Sequence, residues 1–99
     1  MFFLSITVVV IPPAPNLFPS NTIVETGQEL FFMCVSGTVG STYKFMKDGV
    51  LVDEEAGGDN KYLIPSASPS NSGTYSCHVT INGVDSPEST LAVVNVYGK

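Results

Sequence analysis

The feature that most restricts the fold of this chain is a series of short apolar segments, each bounded by glycine, proline, asparagine or serine. The clearest segment, Thr74–Ile81, alternates strictly between apolar and polar residues, which is the period of a half-buried β-strand. No segment of ten or more residues shows the 3.6-residue period of an amphipathic helix. The sequence therefore predicts an all-β antiparallel sandwich, because short alternating segments with regular turn signals typically form that architecture.

Alternation also predicts which side chains point into the sandwich. The inward side of one segment, Glu29–Val35, carries Leu30, Phe32 and Cys34. Its outward side carries Phe31 and Met33, and Met46 takes an outward position in a later segment. Two explanations remain open for the outward pair: the apolar N-terminal stretch covers it, or it belongs to a surface that binds a partner.

Turn signals divide the later segments. Asp48-Gly49 and Asn82-Gly83 are dipeptides typical of tight hairpin turns. The acidic, glycine-rich stretch Asp53–Asp59 is predicted to be a solvated loop, because its spacing does not match a calcium-binding EF-hand loop.

Length and charge exclude several classes of partner. The chain has 99 residues, enough for one domain. Nine acidic residues against four lysines give a net charge of −5, so nucleic acid is excluded because few cations are available to neutralise phosphates. An anionic membrane surface is disfavoured for the same reason.

Residues that could support chemistry are scarce. The chain has one histidine and no Cys-x-x-Cys pair, so neither a metal site nor a cofactor is expected. The single histidine, His78, lies on the outward side of its segment, where it cannot complete a catalytic triad. It is expected to face solvent or to contact a partner, and the chain is not expected to be an enzyme.

Two cysteines, Cys34 and Cys77, lie 43 positions apart. A pair of separated cysteines in a small β domain usually forms one disulfide, which indicates an oxidising, extracellular setting. The alternative is two buried free thiols in a cytoplasmic domain, where cysteine acts as a small apolar residue. The residues alone leave both explanations open.

The stretch Asn71–Cys77 resembles the D-x-G-x-Y-x-C motif of the immunoglobulin superfamily. The first cysteine has a matching context, because Gly27–Cys34 is similar to that family's G-x-x-(hydrophobic)-x-(hydrophobic)-x-C. The resemblance covers residues 14–97. It implies a C2-like or short I-type domain of about seven strands, closest in wording to Fc-receptor-like and platelet-endothelial adhesion molecule ectodomains.

The resemblance implies specific roles for four residues. Cys34 and Cys77 would face each other across the two sheets and form the inter-sheet disulfide. Gly73 would permit a sharp corner before the second cysteine. The hydroxyl of Tyr75 would donate a hydrogen bond to backbone in the stretch Ser68–Asn71, as in a tyrosine corner.

The chain departs from the family pattern at two positions. Phe45 stands where the family has a buried Trp, and it would still pack on the disulfide although it lacks the indole donor. Asn71 replaces the family's acidic residue, and an Asn side chain can still bond locally to backbone.

The N-terminal run Met1–Ile11 is apolar and uncharged, and Pro12-Pro13 closes it. It is too short to span a bilayer, and its β-branched residues favour a strand over a leader remnant. Residues 1–13 are therefore treated as a strand and linker, which could also be the end of a preceding domain, and residues 14–97 as the immunoglobulin-like domain. Because both sides of the run are apolar, we expect it to pair with an exposed strand edge and to contact a second copy of the chain, by strand exchange or edge-to-edge pairing, in a homodimer.

The resemblance implies an extracellular binding module of a cell-surface immune receptor or adhesion protein. Its partner would be a protein ligand or a homophilic partner, and the candidate contact residues are Phe31, Met33, Met46 and His78. The alternative is an intracellular spacer domain of a muscle or cytoskeletal protein with both thiols reduced.

Overall fold

A computed structural model describes residues 10–37 and 42–98 of the chain. The described residues form nine strands and one 3-10 helical turn, Pro69–Asn71. The strands are β1 (Asn16–Phe18), β2 (Thr22–Glu25), β3 (Leu30–Val35), β4 (Thr42–Lys47), β5 (Val50–Ala56), β6 (Lys61–Ile64), β7 (Gly73–Ile81), β8 (Val84–Asp85) and β9 (Ala92–Tyr97).

The strands form two sheets that pack as a sandwich. One sheet has the order β1-β3-β6, and the other has the order β2-β9-β7-β4-β5, with β8 also paired to β7. Strands β1 and β2 follow each other on either side of the cis Phe18–Pro19 peptide and pair with different sheets. If β1 with β2 and β8 with β9 are each counted as two parts of one strand, the described strands occupy seven positions, which confirms the predicted sandwich.

Both predicted hairpin turns are present. Asp48 and Gly49 have φ angles of 50° and 81° and join β4 to β5, whereas Asn82 and Gly83 have φ angles of 52° and 77° and join β7 to β8. Two consecutive residues with positive φ match the right-handed twist of antiparallel strands, which is why an Asx-Gly pair is favoured there.

The core lies between the sheets and contains the side chains that alternation places inward. Cys34 on β3 and Cys77 on β7 form a disulfide with their Cα atoms 6.2 Å apart, which confirms the inter-sheet bond. Beside it, the rings of Phe32 and Tyr75 stack with centroids 4.4 Å apart, and those of Phe45 and Tyr62 lie 5.6 Å apart. The two sheets are therefore joined by one covalent bond and an aromatic cluster.

Two segments differ from the sequence predictions. The prediction of a solvated loop over Asp53–Asp59 is wrong for its first half. Strand β5 continues through Ala56 and pairs Glu54 with Lys44 of β4. Cross-strand pairing outweighs the low strand propensity of acidic residues there. Val10 and Ile11 are exposed and lie outside any strand, just before two prolines that lack a backbone donor. The rest of the run, Met1–Val9, lies outside the described residues, so its predicted pairing stays a prediction.

Candidate interaction surfaces

The corner before β7 is built around Tyr75. Its hydroxyl donates a hydrogen bond of 2.6 Å to the carbonyl oxygen of Asn71, at the end of the 3-10 turn. The Asn71 side chain in turn accepts a hydrogen bond of 2.8 Å from the backbone N–H of Ser68. The predicted tyrosine hydrogen bond is present, and Asn71 performs the local backbone bonding that its side chain allows.

Burial changes the acidity of the same tyrosine. Desolvation raises the pKa of Tyr75 to about 12, with smaller contributions from Tyr62 and Asp48, and the hydrogen bond at Asn71 opposes the shift. The corner therefore favours the neutral phenol, which keeps its proton for the bond to backbone.

Gly73 has a different role from the one expected. It is not among the glycines with positive φ, so the backbone there does not require glycine. A Cβ at this position would lie 2.8 Å from Oδ2 of Asp48, whose Oδ1 accepts a 2.9 Å hydrogen bond from the backbone N–H of Thr74. Gly73 thus provides space for the Asp48 carboxylate that fastens the β4–β5 turn to β7.

Phe45 lies at the centre of the core. It is 1% exposed and directly opposite Cys77 in the β4–β7 register. Sequence reasoning missed its neighbour Tyr62, which packs against both Phe45 and Phe32. The inward position of Tyr62, two residues before Ile64 in an alternating segment, was the available signal.

The outer side of the three-stranded sheet is largely apolar, with Asn16 and Lys61 as its polar strand residues. We call this surface the apolar outer face, and it consists of Phe18, Phe31, Met33, Val35 and Leu63. Phe31 lies opposite Leu63 on β6, and Phe18 lies opposite Met33. Phe18 and Leu63 are 52% and 49% exposed, and Phe31 is 37% exposed. Cross-strand apolar pairs at this exposure are typical of a surface that contacts another molecule.

The outer side of the six-stranded sheet carries both polar and apolar residues, and Ile23, Val93 and Tyr97 are exposed on β2 and β9. Its polar residues lie on β4, β7 and β8. Lys44 lies opposite His78 and forms an ion pair of 3.1 Å with Asp85. A hydrogen bond from the Thr80 hydroxyl, and then Lys44, lowers the pKa of Asp85. Nδ1 of His78 lies 2.8 Å from the carbonyl oxygen of Ser86 and is hydrogen-bonded to it. The polar side chains of β4, β7 and β8 are therefore bonded within the domain.

The four residues expected to contact a partner therefore lie in two pairs on opposite sides of the sandwich. Phe31 and Met33 belong to the apolar outer face, whereas Met46 lies opposite Ser76 on the six-stranded sheet, near His78. These four do not form one surface. Phe18, Val35 and Leu63 complete the apolar outer face, and sequence reasoning did not assign them to it.

Strand β5 carries two neighbouring acidic side chains, Asp53 and Glu55. The side chains of Asp53 and Glu55 are hydrogen-bonded, and this bond, with the charge of Asp53, raises the pKa of Glu55. Within residues 10–37 and 42–98, no group of three or more His, Cys, Asp or Glu side chains could hold a metal ion. No helix in the same ranges is long and apolar enough to cross a membrane.

Comparisons with known proteins agree with this architecture. A family profile described as "Immunoglobulin domain" matches residues 14–95. The structure titled "Human OSCAR ligand-binding domain" superimposes with a TM-score of 0.77 at 20% identity, over 88% of this chain and 51% of that one. The N-terminal four Ig domains of Dscam1 isoform 6.9 match with a TM-score of 0.68 at 23% identity, over 87% of this chain and 21% of that one.

A third similar structure, "Drosophila OTK, extracellular domains 3-5", has a TM-score of 0.67 at 15% identity, over 86% of this chain and 38% of that one. The chain thus spans about half of the OSCAR structure and about a fifth of the Dscam1 structure. At these identities the superpositions show a shared fold.

Proposed function

The chain belongs to the immunoglobulin family, and we propose that it is an extracellular binding module of a cell-surface immune receptor or adhesion protein. It would act by protein–protein recognition rather than by chemistry. The observation that carries the proposal is the apolar outer face, with its exposed cross-strand pairs Phe31–Leu63 and Phe18–Met33.

The extracellular setting is supported by the bond between Cys34 and Cys77. Disulfides persist in oxidising compartments and are rare in reducing ones. The alternative, an intracellular spacer domain, requires both thiols to be reduced, and nothing in the sandwich favours that state.

Protein recognition is supported by the paired apolar side chains that the three-stranded sheet exposes. On the six-stranded sheet, polar side chains of β4 and β8 bond to each other, as Lys44 does to Asp85. On the three-stranded sheet, large apolar side chains remain exposed to water, and their burial would contribute favourably at about 25 cal/mol per Å². One similar structure is titled a ligand-binding domain and another comprises extracellular domains, which agrees with the proposed class.

A cell-binding assay that compares matched surface variants of the domain tests the proposal. The domain is biotinylated, assembled on labelled streptavidin so that a weak contact becomes multivalent, and used to stain a panel of immune, endothelial and epithelial cells. Leu63 and Leu51 form a matched pair, because they are 49% and 47% exposed on edge strands of opposite sheets.

We expect Leu63→Glu to lose staining by tenfold or more on cells that bind the unmodified domain, and Leu51→Glu to keep it. Circular dichroism confirms that both variants are folded. Equal staining by the two variants, or loss only in Leu51→Glu, would show that the apolar outer face does not mediate recognition.

A further inference from the structure

We propose that the apolar outer face binds the same face of a second copy of this chain, so that Lys61 of each copy contacts Glu29 of the other. This inference rests on the proposed function, and it identifies the binding partner as a second copy of the chain. The two copies would be related by a two-fold axis that lies between the facing sheets, perpendicular to β3 and level with Phe31.

The arrangement of charge around the face carries the proposal. Lys61 lies opposite Met33, two residues beyond Phe31 along β3. Glu29 is exposed and precedes the inward Leu30, so alternation places it on the outer side, two residues before Phe31. At about 3.4 Å per residue, the cation and the acid lie about 7 Å to either side of the Phe31 level.

A two-fold axis at that level exchanges the two ends of the face. Strand β3 of the second copy then runs antiparallel to the first, and its Glu29 lies over Met33, next to Lys61. The same operation repeats the contact at the other end, since a two-fold interface uses each pair of residues twice. Phe31 and Leu63 of both copies meet at the centre, where water is excluded best.

Lys61 is an exposed cation at this face that differs from two other described lysines. Lys44 is ion-paired with Asp85, and Nζ of Lys47 donates a hydrogen bond to the carbonyl oxygen of Ser70. Among the described residues, the Lys61 ammonium group forms no ion pair. A second copy supplies a carboxylate at the matching position, together with an apolar surface of the same size.

The dimensions of the face make this contact weak. The strands β1, β3 and β6 have 3, 6 and 4 residues. At about 3.4 Å per residue and about 4.8 Å between strands they give a face of about 200 Å², compared with about 800 Å² per partner in a standard stable interface. We therefore expect a dissociation constant on the order of 0.1–1 mM, which becomes effective when several copies are held close together.

Charge exchange tests the arrangement directly. Lys61→Glu alone and Glu29→Lys alone would each place like charges at both contacts, and each should weaken dimerisation at least tenfold in sedimentation equilibrium at up to about 1 mM, where a contact of this strength is populated. Mixing the two variants restores an opposite charge at both contacts, so the mixture should dimerise as the unmodified chain does. Glu54→Lys, on the opposite sheet, changes net charge as Glu29→Lys does. With Lys61→Glu it keeps an opposite charge at only one of the two contacts, so it should bind Lys61→Glu more weakly than Glu29→Lys does.

NMR spectra of labelled Lys61→Glu, titrated with unlabelled Glu29→Lys, should show shifts confined to amides of β1, β3 and β6. A mixture that behaves like the separate variants, or an unmodified chain that is monomeric at about 1 mM, would overturn the proposal. Dimerisation that disappears on deletion of Met1–Ile11 and ignores the charge variants would overturn it in favour of that run. If these tests fail while cell staining still depends on Leu63, the proposed function stands and the face binds a different protein.

Discussion

Replacement of Tyr75 by Phe removes one hydroxyl from an otherwise unchanged corner. The ring of Tyr75 is 2% exposed and stacked on Phe32, and Phe occupies the same volume, so no cavity forms. What is lost is the 2.6 Å hydrogen bond to the Asn71 carbonyl, which is part-buried. The free energy of unfolding should therefore fall by about 1 kcal/mol, the net value of one intramolecular hydrogen bond.

Urea and thermal unfolding measure this loss, and for a domain of this size about 1 kcal/mol corresponds to a decrease in Tm of about 4–8 °C. Tyr97→Phe is the matched control, because its hydroxyl donates a 3.3 Å hydrogen bond to Oε2 of Glu25 at an exposed site. That variant should change stability by less than about 0.5 kcal/mol. Equal losses of stability in Tyr75→Phe and Tyr97→Phe would refute the stabilising role assigned to the Tyr75 hydrogen bond.

The same variant has a defined pH dependence. The folded-state pKa of Tyr75 is raised from 10.0 to about 12, so the fold favours the protonated phenol. Its contribution to stability is complete below pH 10 and is lost as the pH rises towards 12. The stability difference between the unmodified chain and Tyr75→Phe should therefore shrink over that interval, and a difference that grows there would contradict the assigned burial.

Three further outcomes are expected. Replacement of both Cys34 and Cys77 by Ala opens a 43-residue loop and should lower the urea-derived free energy of unfolding by about 4 kcal/mol; a loss within experimental error would contradict the disulfide. Phe45→Ala should lower the free energy of unfolding by about 3–5 kcal/mol, because it leaves a cavity in the core opposite Cys77. Met46→Ala, at an outward position, should lower it far less. Similar losses in the two variants would show that the assigned strand register is wrong. Asp85→Asn should remove part of the loss of stability at acid pH. The folded state lowers the pKa of Asp85, so its carboxylate stabilises the fold above the unfolded pKa of 3.8, and this stabilisation is lost as pH falls. Unchanged acid unfolding would contradict the Lys44–Thr80–Asp85 cluster.

Local patterns predicted the centre of the sandwich because local and tertiary preferences agree there. Strand β7 alternates strictly, and its inward residues Tyr75, Cys77 and Val79 are all buried. The two Asx-Gly turns have the backbone angles that only such residues adopt readily. A single sequence is therefore sufficient to predict strand β7 and the two turns.

Features that depend on contacts between strands were harder to predict. Strand β5 includes Glu54 and Glu55 because β4 offers paired partners across from them, and the composition of that stretch alone favours a loop. The role of Gly73 depends on Asp48, a residue that is 25 positions earlier and adjacent only after folding.

The candidate interaction surface shows the same division. Alternation along β3 identified Phe31 and Met33 as outward, but only the register with β1 and β6 adds Phe18 and Leu63 to the same face. Met46 and His78 follow the same outward rule on the other sheet. Sequence alternation tells which side of a strand a residue occupies, whereas the assignment to a surface requires the pairing of strands.

The most direct test of the whole account is the oxidation state of the two cysteines in protein isolated from the cells that produce it. The protein is denatured without reductant, treated with an alkylating agent and digested, and the peptides are identified by mass spectrometry. The account predicts no alkylated cysteine and one linked pair of peptides containing Cys34 and Cys77. Alkylation of both cysteines would contradict an extracellular binding module and favour the intracellular spacer.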